Sequence, residues 1–277
     1  MGERRHESES TFSNDSKGHG RVGLLLGAVR AIFAAMATWK NRIEGNLRNI
    51  RDTIASVCLR CGRQSREVSL VAVTKSAPLE AIKAAVEAGL TALGESRVQQ
   101  LTERAEQVTA WLQEKGNQGQ PPKVCWHMVG HLQRNKVKAI LDSVEVIHSV
   151  DSLRLAEEIS TRAERCGRTI DVLVQVNCSQ EPQKSGCAVG AAMHLAELVC
   201  SLSNLHLIGL MAMGPLAGGP EAARPAFARM RELFEEMRHE KIGGADFRHL
   251  SMGMSQDYPV AIEEGATILR IGSALFE

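Results

Sequence analysis

The stretch VSLVAVTKSAPLEAIKAAVEAGLTALGES, residues 68–96, holds one strand, one helix and the start of a second strand. Val68–Val73 is apolar and rich in β-branched residues, which is typical of a buried strand. Pro78 suits the first turn of the helix that follows, and Gly89 suits its end. A second short strand, Thr91–Gly94, comes next. This order is the repeating unit of a parallel sheet covered by helices.

The same alternation continues to the end of the chain. Helices are predicted between the strands, and Asp151 and Gly167 are the expected N-cap and stop of the one after the fourth strand. Eight strand–helix units predict a single-domain α/β fold, a (β/α)8 TIM barrel. The predicted strands are Val68–Val73, Thr91–Gly94, Val124–Gly130, Val144–Val150, Ile170–Asn177, Leu205–Met213, His249–Met252 and Thr267–Ile271. The predicted helices after the first are Arg97–Lys115, Arg134–Leu141, Asp151–Gly167, Gly190–Leu202, Glu221–Glu240 and Tyr258–Glu264.

The two ends of the chain need separate expectations. No helix is predicted after the eighth strand, so we expect an extra N-terminal helix, Trp39–Cys61, to cover that side of the barrel. Residues 36–277 are taken as the barrel domain and residues 1–35 as an N-terminal extension. The sequence leaves open whether the extension is disordered, a targeting segment for an organelle, or upstream of a true start at Met36.

Composition excludes several classes of protein. Thirty-three Lys and Arg nearly balance 32 Asp and Glu, and aromatic residues make up 4%, so we expect no nucleic-acid partner. The apolar run from Val22 to Ala37 is too short to span a bilayer, so no membrane partner is expected. Seven scattered cysteines indicate reduced thiols and a cytoplasmic protein, and neither they nor the histidines have the spacing of a metal site.

The carboxyl ends of barrel strands carry the reactive groups of such folds. Lys75 follows the first strand, Ser96 the second, and Ser251, Met252 and Met254 the seventh. The eighth strand carries Arg270 and ends at Gly272 and Ser273. A lysine partly desolvated at this mouth would have a lowered pKa and could condense with an aldehyde, whereas in isolation it would be read as a solvent-exposed side chain.

Small residues after strands seven and eight predict a phosphate cradle, because backbone N–H groups can approach phosphate oxygens closely there. A lysine and a phosphate cradle together suit pyridoxal 5′-phosphate (PLP), which carries both an aldehyde and a phosphate. Arg270, on the face of Gly272, either pairs with a Glu or His inside the barrel or faces the pyridine nitrogen. In the second case the pyridine stays unprotonated and promotes carbanion chemistry weakly.

At these residues the sequence resembles the PLP homeostasis protein family, the YggS or proline-synthase co-transcribed group, which is related in fold to the alanine racemase barrel. The resemblance covers residues 38–276, and its matching segments are 70–75, 126–130, 132–133, 135–136, 148–152, 184–186, 209–211, 250–255 and 270–272. Two departures are visible: Ser96 and Arg97 stand where the family usually has Asn and Tyr, and Glu277 replaces a customary glycine.

The resemblance implies a role for each residue at the mouth. Lys75 would be the Schiff-base lysine, Arg270 would face the pyridine nitrogen, and Ser251, Gly272 and Ser273 would hold the phosphate. Met252 and Met254 would lie near the ring, and Ser96 would make a weaker contact than the usual Asn. The family implies vitamin B6 homeostasis by storage or supply of PLP, with no established catalytic residues. The expected partners are PLP and apo PLP-dependent enzymes, and the expected state is a monomer.

Two enzymatic alternatives stay open. An amino-acid racemase of the alanine racemase type needs a second base opposite Lys75, and the single tyrosine, Tyr258, is expected to pack at the barrel rim instead. A barrel aldolase would use Lys75 for an imine with a keto-sugar phosphate and would need no PLP. His127 and His148 are interpreted as polar residues at strand ends, and Lys184-Ser-Gly186 as a loop that contacts a ligand or partner.

Overall fold

The computed structural model describes residues 17–116, 122–215 and 217–277, with side chains described from Thr38 onward. In these residues the chain forms a closed barrel whose strands follow the order of the sequence, β1 to β8. Every neighbouring pair is parallel, and β1 closes the barrel against β8. The strands are β1 Ser69–Val73, β2 Ala92–Glu95, β3 Cys125–Met128, β4 Val144–Val150, β5 Ile170–Gln175, β6 Leu205–Met211, β7 His249–Ser251 and β8 Ile268–Ile271.

The described helices surround this barrel and bury its outer face. Alternate residues of one strand belong to different clusters: Val172 and Val174 join the large core beneath the helices, whereas Leu173 joins a small cluster inside the barrel. This is the two-sided burial expected of a parallel sheet. The α-helices are α1 Lys17–Arg60, α2 Leu79–Glu87, α3 Val98–Lys115, α4 Val137–Ile140, α5 Leu153–Arg165, α6 Val189–Cys200, α7 Arg224–His239, α8 Tyr258–Glu263 and α9 Ser273–Phe276.

Helix α1 covers the side of the barrel between α2 and α8, as predicted. Its residues at steps of three or four are buried: Ile43, Leu47, Ile50, Ile54 and Val57. The Asn46 side chain donates to the Leu275 carbonyl at 3.0 Å and so ties α1 to the end of the chain. The predicted boundary between residues 35 and 36 lies inside α1, and residues 1–16 lie outside the described part.

All eight predicted strands are confirmed, and three details of the helices were wrong. A short helix, α9, does follow β8, although its four residues are too few to show a periodic pattern. The N-cap of α5 is Ser152 and not Asp151, because Ser152 keeps extended dihedral angles while Leu153 is helical. The stretch from Arg134 begins as a 3-10 turn, Arg134–Lys136, before α4.

Candidate active site at the carboxyl ends of the strands

Lys75 and Gly272 lie at the same rim of the barrel. The register between β1 and β8 pairs Ala72 with Ile271, so the next positions along both strands, Val73 and Gly272, are neighbours. A Cβ atom on Gly272 would lie 3.2 Å from the Val73 carbonyl oxygen, which shows how closely the two strand ends approach. The rim that the sequence predicts for the lysine and the glycine is therefore confirmed.

Lys75 occupies the corner of a tight turn just beyond β1. The Ala77 N–H donates to the Thr74 carbonyl at 2.9 Å, so Lys75 and Ser76 are the central residues of a β-turn. Thr74 and Ala77 are buried, whereas Lys75 and Ser76 are exposed. Lys75 is thus exposed, the backbone at the base of its side chain is fixed by the turn, and the partial desolvation of its amine stays a prediction.

Two backbone amides converge on one oxygen beside this turn. The N–H groups of Gly272 and Ala274 donate to the Ser255 hydroxyl oxygen at 3.2 and 3.1 Å. Ser255 comes from the loop after β7, where the Asp257 carboxylate accepts from the Met254 N–H at 2.6 Å. The pair of amides already binds an oxygen atom, which is the geometry that a phosphate oxygen requires.

Arg270 is a buried cation inside the barrel. Its guanidinium donates to the Ser251 hydroxyl at 2.7 Å and to the Ala212 carbonyl at 2.9 Å. Among the described residues no carboxylate forms an ion pair with it, so the predicted pairing with a glutamate is absent there. Burial lowers the pKa of Arg270 to about 10, and the nearby charge of Asp257 opposes that shift. Arg270 therefore stays protonated at neutral pH, although the Ser251 hydroxyl and the Ala212 carbonyl that it binds are both uncharged.

A chain of hydrogen bonds leads from Arg270 across the interior. Ser251 Oγ lies 2.8 Å from His148 Nδ1, and His148 Nε2 lies 2.8 Å from His127 Nδ1. His127 Nε2 is 3.4 Å from the Cys125 sulfur. A guanidinium can only donate, so Ser251 accepts from Arg270 and donates its own proton to His148. Each donor in the chain therefore lies nearer to Arg270 than its acceptor does, as far as Cys125. We assign both histidines as neutral tautomers with the proton on Nε2.

Burial keeps the two histidines of this chain neutral. Desolvation lowers the pKa of His127 to about 4, with a further contribution from His249. The pKa of His148 lies well below its usual value, first because it is completely buried and then because His127, Arg270 and His249 are close. Both lie near the carboxyl ends of β3 and β4, as the sequence interpretation expects, and both side chains are buried in the interior. Neutral imidazoles allow the Arg270 cation to share the interior without repulsion.

These hydrogen bonds distinguish Ser251 from Gly272 and Ser273, the other residues predicted to bind the phosphate. It is fully buried, accepts from Arg270 and donates its proton to His148. A phosphate contact for Ser251 stays a prediction, and this geometry weighs against it because its proton is already used. Gly272 is half-buried and Ser273 exposed at the rim, where both remain accessible to a ligand.

The remaining predicted residues lie at different depths. Met252 is completely buried, whereas Met254 is 37% exposed at the mouth. Ser96 is half-buried, and its backbone carbonyl would lie 2.2 Å from a Cβ atom on Gly130, so only glycine lets the end of β3 approach it. Met254 and Ser96 are accessible at the mouth and Met252 belongs to the buried core, and a ligand contact stays a prediction for all three.

The loop after β5 is held in place by hydrogen bonds and an ion pair within the protein. The Lys184 ammonium donates to the Gly214 carbonyl at 2.6 Å and to the Ser179 hydroxyl at 3.1 Å, and it pairs with the Glu181 carboxylate. Only 6% of its side chain is exposed. The ligand or partner contact suggested for Lys184-Ser-Gly186 would require these bonds to break first.

Three further observations limit the chemistry. Within residues 17–116, 122–215 and 217–277, no three His, Cys, Asp or Glu side chains are arranged to hold a metal ion. The same residues contain no helix with both the length and the apolar character needed to cross a bilayer. All seven cysteines are free thiols, and burial raises the pKa of Cys125 to about 11, so the sulfur beside His127 is not a thiolate.

Known proteins share this fold and resemble this sequence. Residues 42–277 match the family model "Alanine racemase, N-terminal domain". The pyridoxal phosphate homeostasis protein of Aquifex aeolicus is 38% identical over 83% of this chain and 95% of its own. PipY of Synechococcus elongatus, solved with PLP bound, has a TM-score of 0.71 at 29% identity and covers 85% of this chain and 100% of its own.

Alanine racemase itself is a more distant relative. The enzyme of Clostridium difficile has a TM-score of 0.63 at 14% identity, and the match covers 85% of this chain and 56% of the racemase. That likeness shows the barrel fold alone. Sequence identity, the family match and the closed barrel agree that this chain belongs to the pyridoxal phosphate homeostasis protein family, on the alanine racemase N-terminal barrel.

Proposed function

We propose that this protein binds PLP at the barrel mouth and serves intracellular PLP homeostasis by storing the cofactor and supplying it. Lys75 would hold the aldehyde carbon as a Schiff base, and the rim after β8 would hold the phosphate. The observation that carries the proposal is the meeting of an exposed primary amine and two oxygen-binding amides at adjacent strand ends. PLP has an aldehyde and a phosphate to match these two features.

The residues present fit this cofactor. The amides of Gly272 and Ala274 already bind the Ser255 oxygen, so a phosphate oxygen entering there finds donors in place. The exposed Ser273 hydroxyl and the displaced Ser255 hydroxyl are further donors for that phosphate. Arg270 is a buried cation without an ion-pair partner among the described residues, and an anionic ligand above it would offset its desolvation.

The neutral histidine chain supports a fixed orientation of Arg270. Because Ser251 accepts from Nη1 and Ala212 accepts from Nη2, the guanidinium plane is set by two different strands. Its other N–H groups would then face the ring of a ligand, as the resemblance implies for the pyridine nitrogen. A fixed guanidinium there would keep that nitrogen unprotonated, which weakens electron withdrawal and suits storage better than catalysis.

Supply requires that another amine can reach the stored aldehyde. The exposed corner position of Lys75 supports this. We infer that apo PLP-dependent enzymes are the recipients and that the chain acts as a cytoplasmic monomer.

Transfer to an apo-enzyme tests the supply function. Protein loaded with PLP and freed of excess cofactor should restore the activity of an apo-aminotransferase. A Lys75→Ala protein treated in the same way should restore little, because it would retain little cofactor through gel filtration. Loaded wild-type protein that leaves the aminotransferase inactive would overturn the supply role while leaving binding intact.

An amino-acid racemase is the second candidate, favoured by the shared barrel. The reaction requires a second base on the far face of the ring. The single tyrosine, Tyr258, starts α8 and packs against the hydrophobic core, so it does not offer that base. Incubation of the PLP-loaded protein with single-enantiomer alanine should leave the optical rotation unchanged. A falling rotation would instead favour the racemase.

A further inference from the structure

Arg104, on α3, binds the turn that carries Lys75. Its guanidinium donates to the Thr74 carbonyl through Nη1 and to the Ala77 carbonyl through Nη2, the latter at 3.0 Å. Thr74 and Ala77 are the first and last residues of the β-turn, which the hydrogen bond from the Ala77 N–H to the Thr74 carbonyl closes. Arg104 therefore binds both ends of this turn. Lys75 therefore stands on a backbone held from both sides.

Glu95 holds the arginine in this position. Its carboxylate is completely buried at the end of β2 and forms an ion pair with Arg104, whose side chain is 15% exposed. The same carboxylate accepts from the Thr74 hydroxyl and, at 3.2 Å, from the Ser96 N–H. Side chain and backbone of Thr74 are thus tied to one buried ion pair, which joins the ends of β1 and β2 to α3.

A buried ion pair is costly and is weak evidence for stability by itself. Here three of its hydrogen bonds, to the Thr74 hydroxyl, the Thr74 carbonyl and the Ala77 carbonyl, go to the residues that begin and end the turn of Lys75, while Lys75 itself is exposed. We propose that Arg104 and Glu95 are positioning residues for Lys75, which set the base of its side chain against the aldehyde of a bound ligand. The inference rests on the proposed function, because it concerns the same lysine and the same ligand.

The covalent step explains why positioning matters. The Lys75 nitrogen adds to the aldehyde carbon and gives up two protons, and the aldehyde oxygen leaves as water when the C=N bond forms. A long lysine chain has many rotamers, so a fixed backbone reduces the freedom lost when the amine meets the aldehyde. Contacts to the phosphate and ring lie elsewhere and should not depend on Arg104.

Two ligands separate positioning from general support of the site. PLP can form the imine, whereas pyridoxine 5′-phosphate has an alcohol in place of the aldehyde and cannot. The test variant is Arg104→Met with Glu95→Gln, which removes the donors to the turn without leaving a buried unpaired charge. We expect its dissociation constant for PLP to rise about tenfold or more, since it loses charge-assisted hydrogen bonds, and that for pyridoxine 5′-phosphate to stay within about twofold.

Three further proteins complete the comparison. Arg162→Met removes an arginine from a partly exposed ion pair with Glu158 on α5 and should leave both affinities unchanged. Arg104→Lys keeps a cation beside Glu95 and should recover part of the PLP affinity. Thr74→Val removes the hydroxyl that donates to Glu95. This variant replaces the double variant in the comparison if the double variant does not fold. It should weaken PLP alone, by about threefold.

Each outcome is decisive. Selective loss of PLP affinity, with recovery by Arg104→Lys, supports the positioning role. Equal losses for both ligands would reduce Arg104 and Glu95 to general support of the mouth, and unchanged PLP affinity would remove their role altogether. If wild-type protein binds both ligands equally and shows no imine absorbance, the proposed function fails and the positioning role fails with it.

Discussion

The lysine side and the arginine side of the mouth are built in opposite ways. On the lysine side, the turn Thr74–Ala77, the backbone is held and the side chain of Lys75 is exposed. On the arginine side, comprising Arg270, Ser251, His148 and His127, the side chains themselves are buried and bound to one another. The first arrangement leaves an amine free to react and exchange, and the second fixes a charge.

The two sides also differ in how they compensate charge. The lysine side is braced by a buried ion pair between Arg104 and Glu95, so both members need each other. The arginine side has a lone buried cation with neutral partners and two histidines kept neutral by burial. The proposed storage function would need this division, because the covalent link would have to be reversible while the ring stays oriented. Four substitutions test this difference between the two sides.

The largest effect is expected on the lysine side. Arg104→Met should lower the free energy of unfolding by about 4 kcal/mol, because it leaves the Glu95 carboxylate buried without its partner. Adding Glu95→Gln should recover much of that loss. Urea denaturation of both variants measures the difference. Equal destabilisation in the single and double variants would show that the charge of Glu95 is not what the arginine compensates.

The arginine side should respond to acid. In the unfolded chain His127 takes up a proton near pH 6.5, but in the folded chain it does so only near pH 4. Between these values the unfolded state binds more protons, so the free energy of unfolding falls as the pH falls. The lowered pKa of His127 alone corresponds to about 3 kcal/mol between pH 7 and pH 4.

Replacement of His127 by Gln removes that proton-binding group from both states. The difference in unfolding free energy between wild type and His127→Gln should therefore change by about 3 kcal/mol across this range, as measured by urea denaturation at each pH. His194→Gln, which alters an exposed histidine on α6, should keep the wild-type slope. Parallel curves for wild type and His127→Gln would show that His127 is not held neutral by the fold.

Ser251→Ala breaks the arginine side at its centre. The loss leaves an Arg270 N–H and a His148 nitrogen buried without partners, which should cost about 2 kcal/mol of unfolding free energy. Calorimetry of the variant measures this cost. Affinity for pyridoxine 5′-phosphate should change little, because the Ala212 carbonyl still binds the Arg270 guanidinium and the phosphate is proposed to lie at the rim. A loss of affinity without a loss of stability would return Ser251 to the phosphate site.

The smallest effect is expected at the rim itself. Ser273 is exposed, so Ser273→Ala should leave the unfolding free energy unchanged. The loss of one hydrogen bond to the phosphate should weaken pyridoxine 5′-phosphate about fivefold, which titration calorimetry can resolve. Ser76→Ala, at the exposed position after Lys75, is the matched control and should bind this ligand as wild type does.

The sequence predicts the barrel well because its signals are local. Most strands are short apolar runs beside a Gly or Pro boundary, and the register of β1 and β8 then brings Lys75 and Gly272 together. The serine of the amide pair was harder to choose: Ser251 and Ser255 lie in one motif, SMGMS. Ser251 belongs to β7 and its hydroxyl is buried beside Arg270. The loop after β7 instead brings the Ser255 hydroxyl to Gly272 at the rim.

Contacts between distant residues were not predictable in the same way. His148 and Ser251 meet although 103 positions separate them in the sequence, and nothing local marks either as a partner of the other. Arg104 looks like an ordinary surface residue of an amphipathic helix, and only the folded chain shows its guanidinium between Thr74 and Ala77. The exposure of Lys75 likewise depends on what surrounds the mouth, which a strand pattern does not state.

Absorbance of the purified protein mixed with PLP tests the central claim most directly. Wild type should show the near-visible imine band, and borohydride should fix the cofactor to the peptide that contains Lys75. Lys75→Ala should show neither, whereas Lys138→Ala, at an exposed lysine on α4, should match wild type. An unchanged band in Lys75→Ala, or a label on another lysine, would contradict the assignment of the amine at the end of β1.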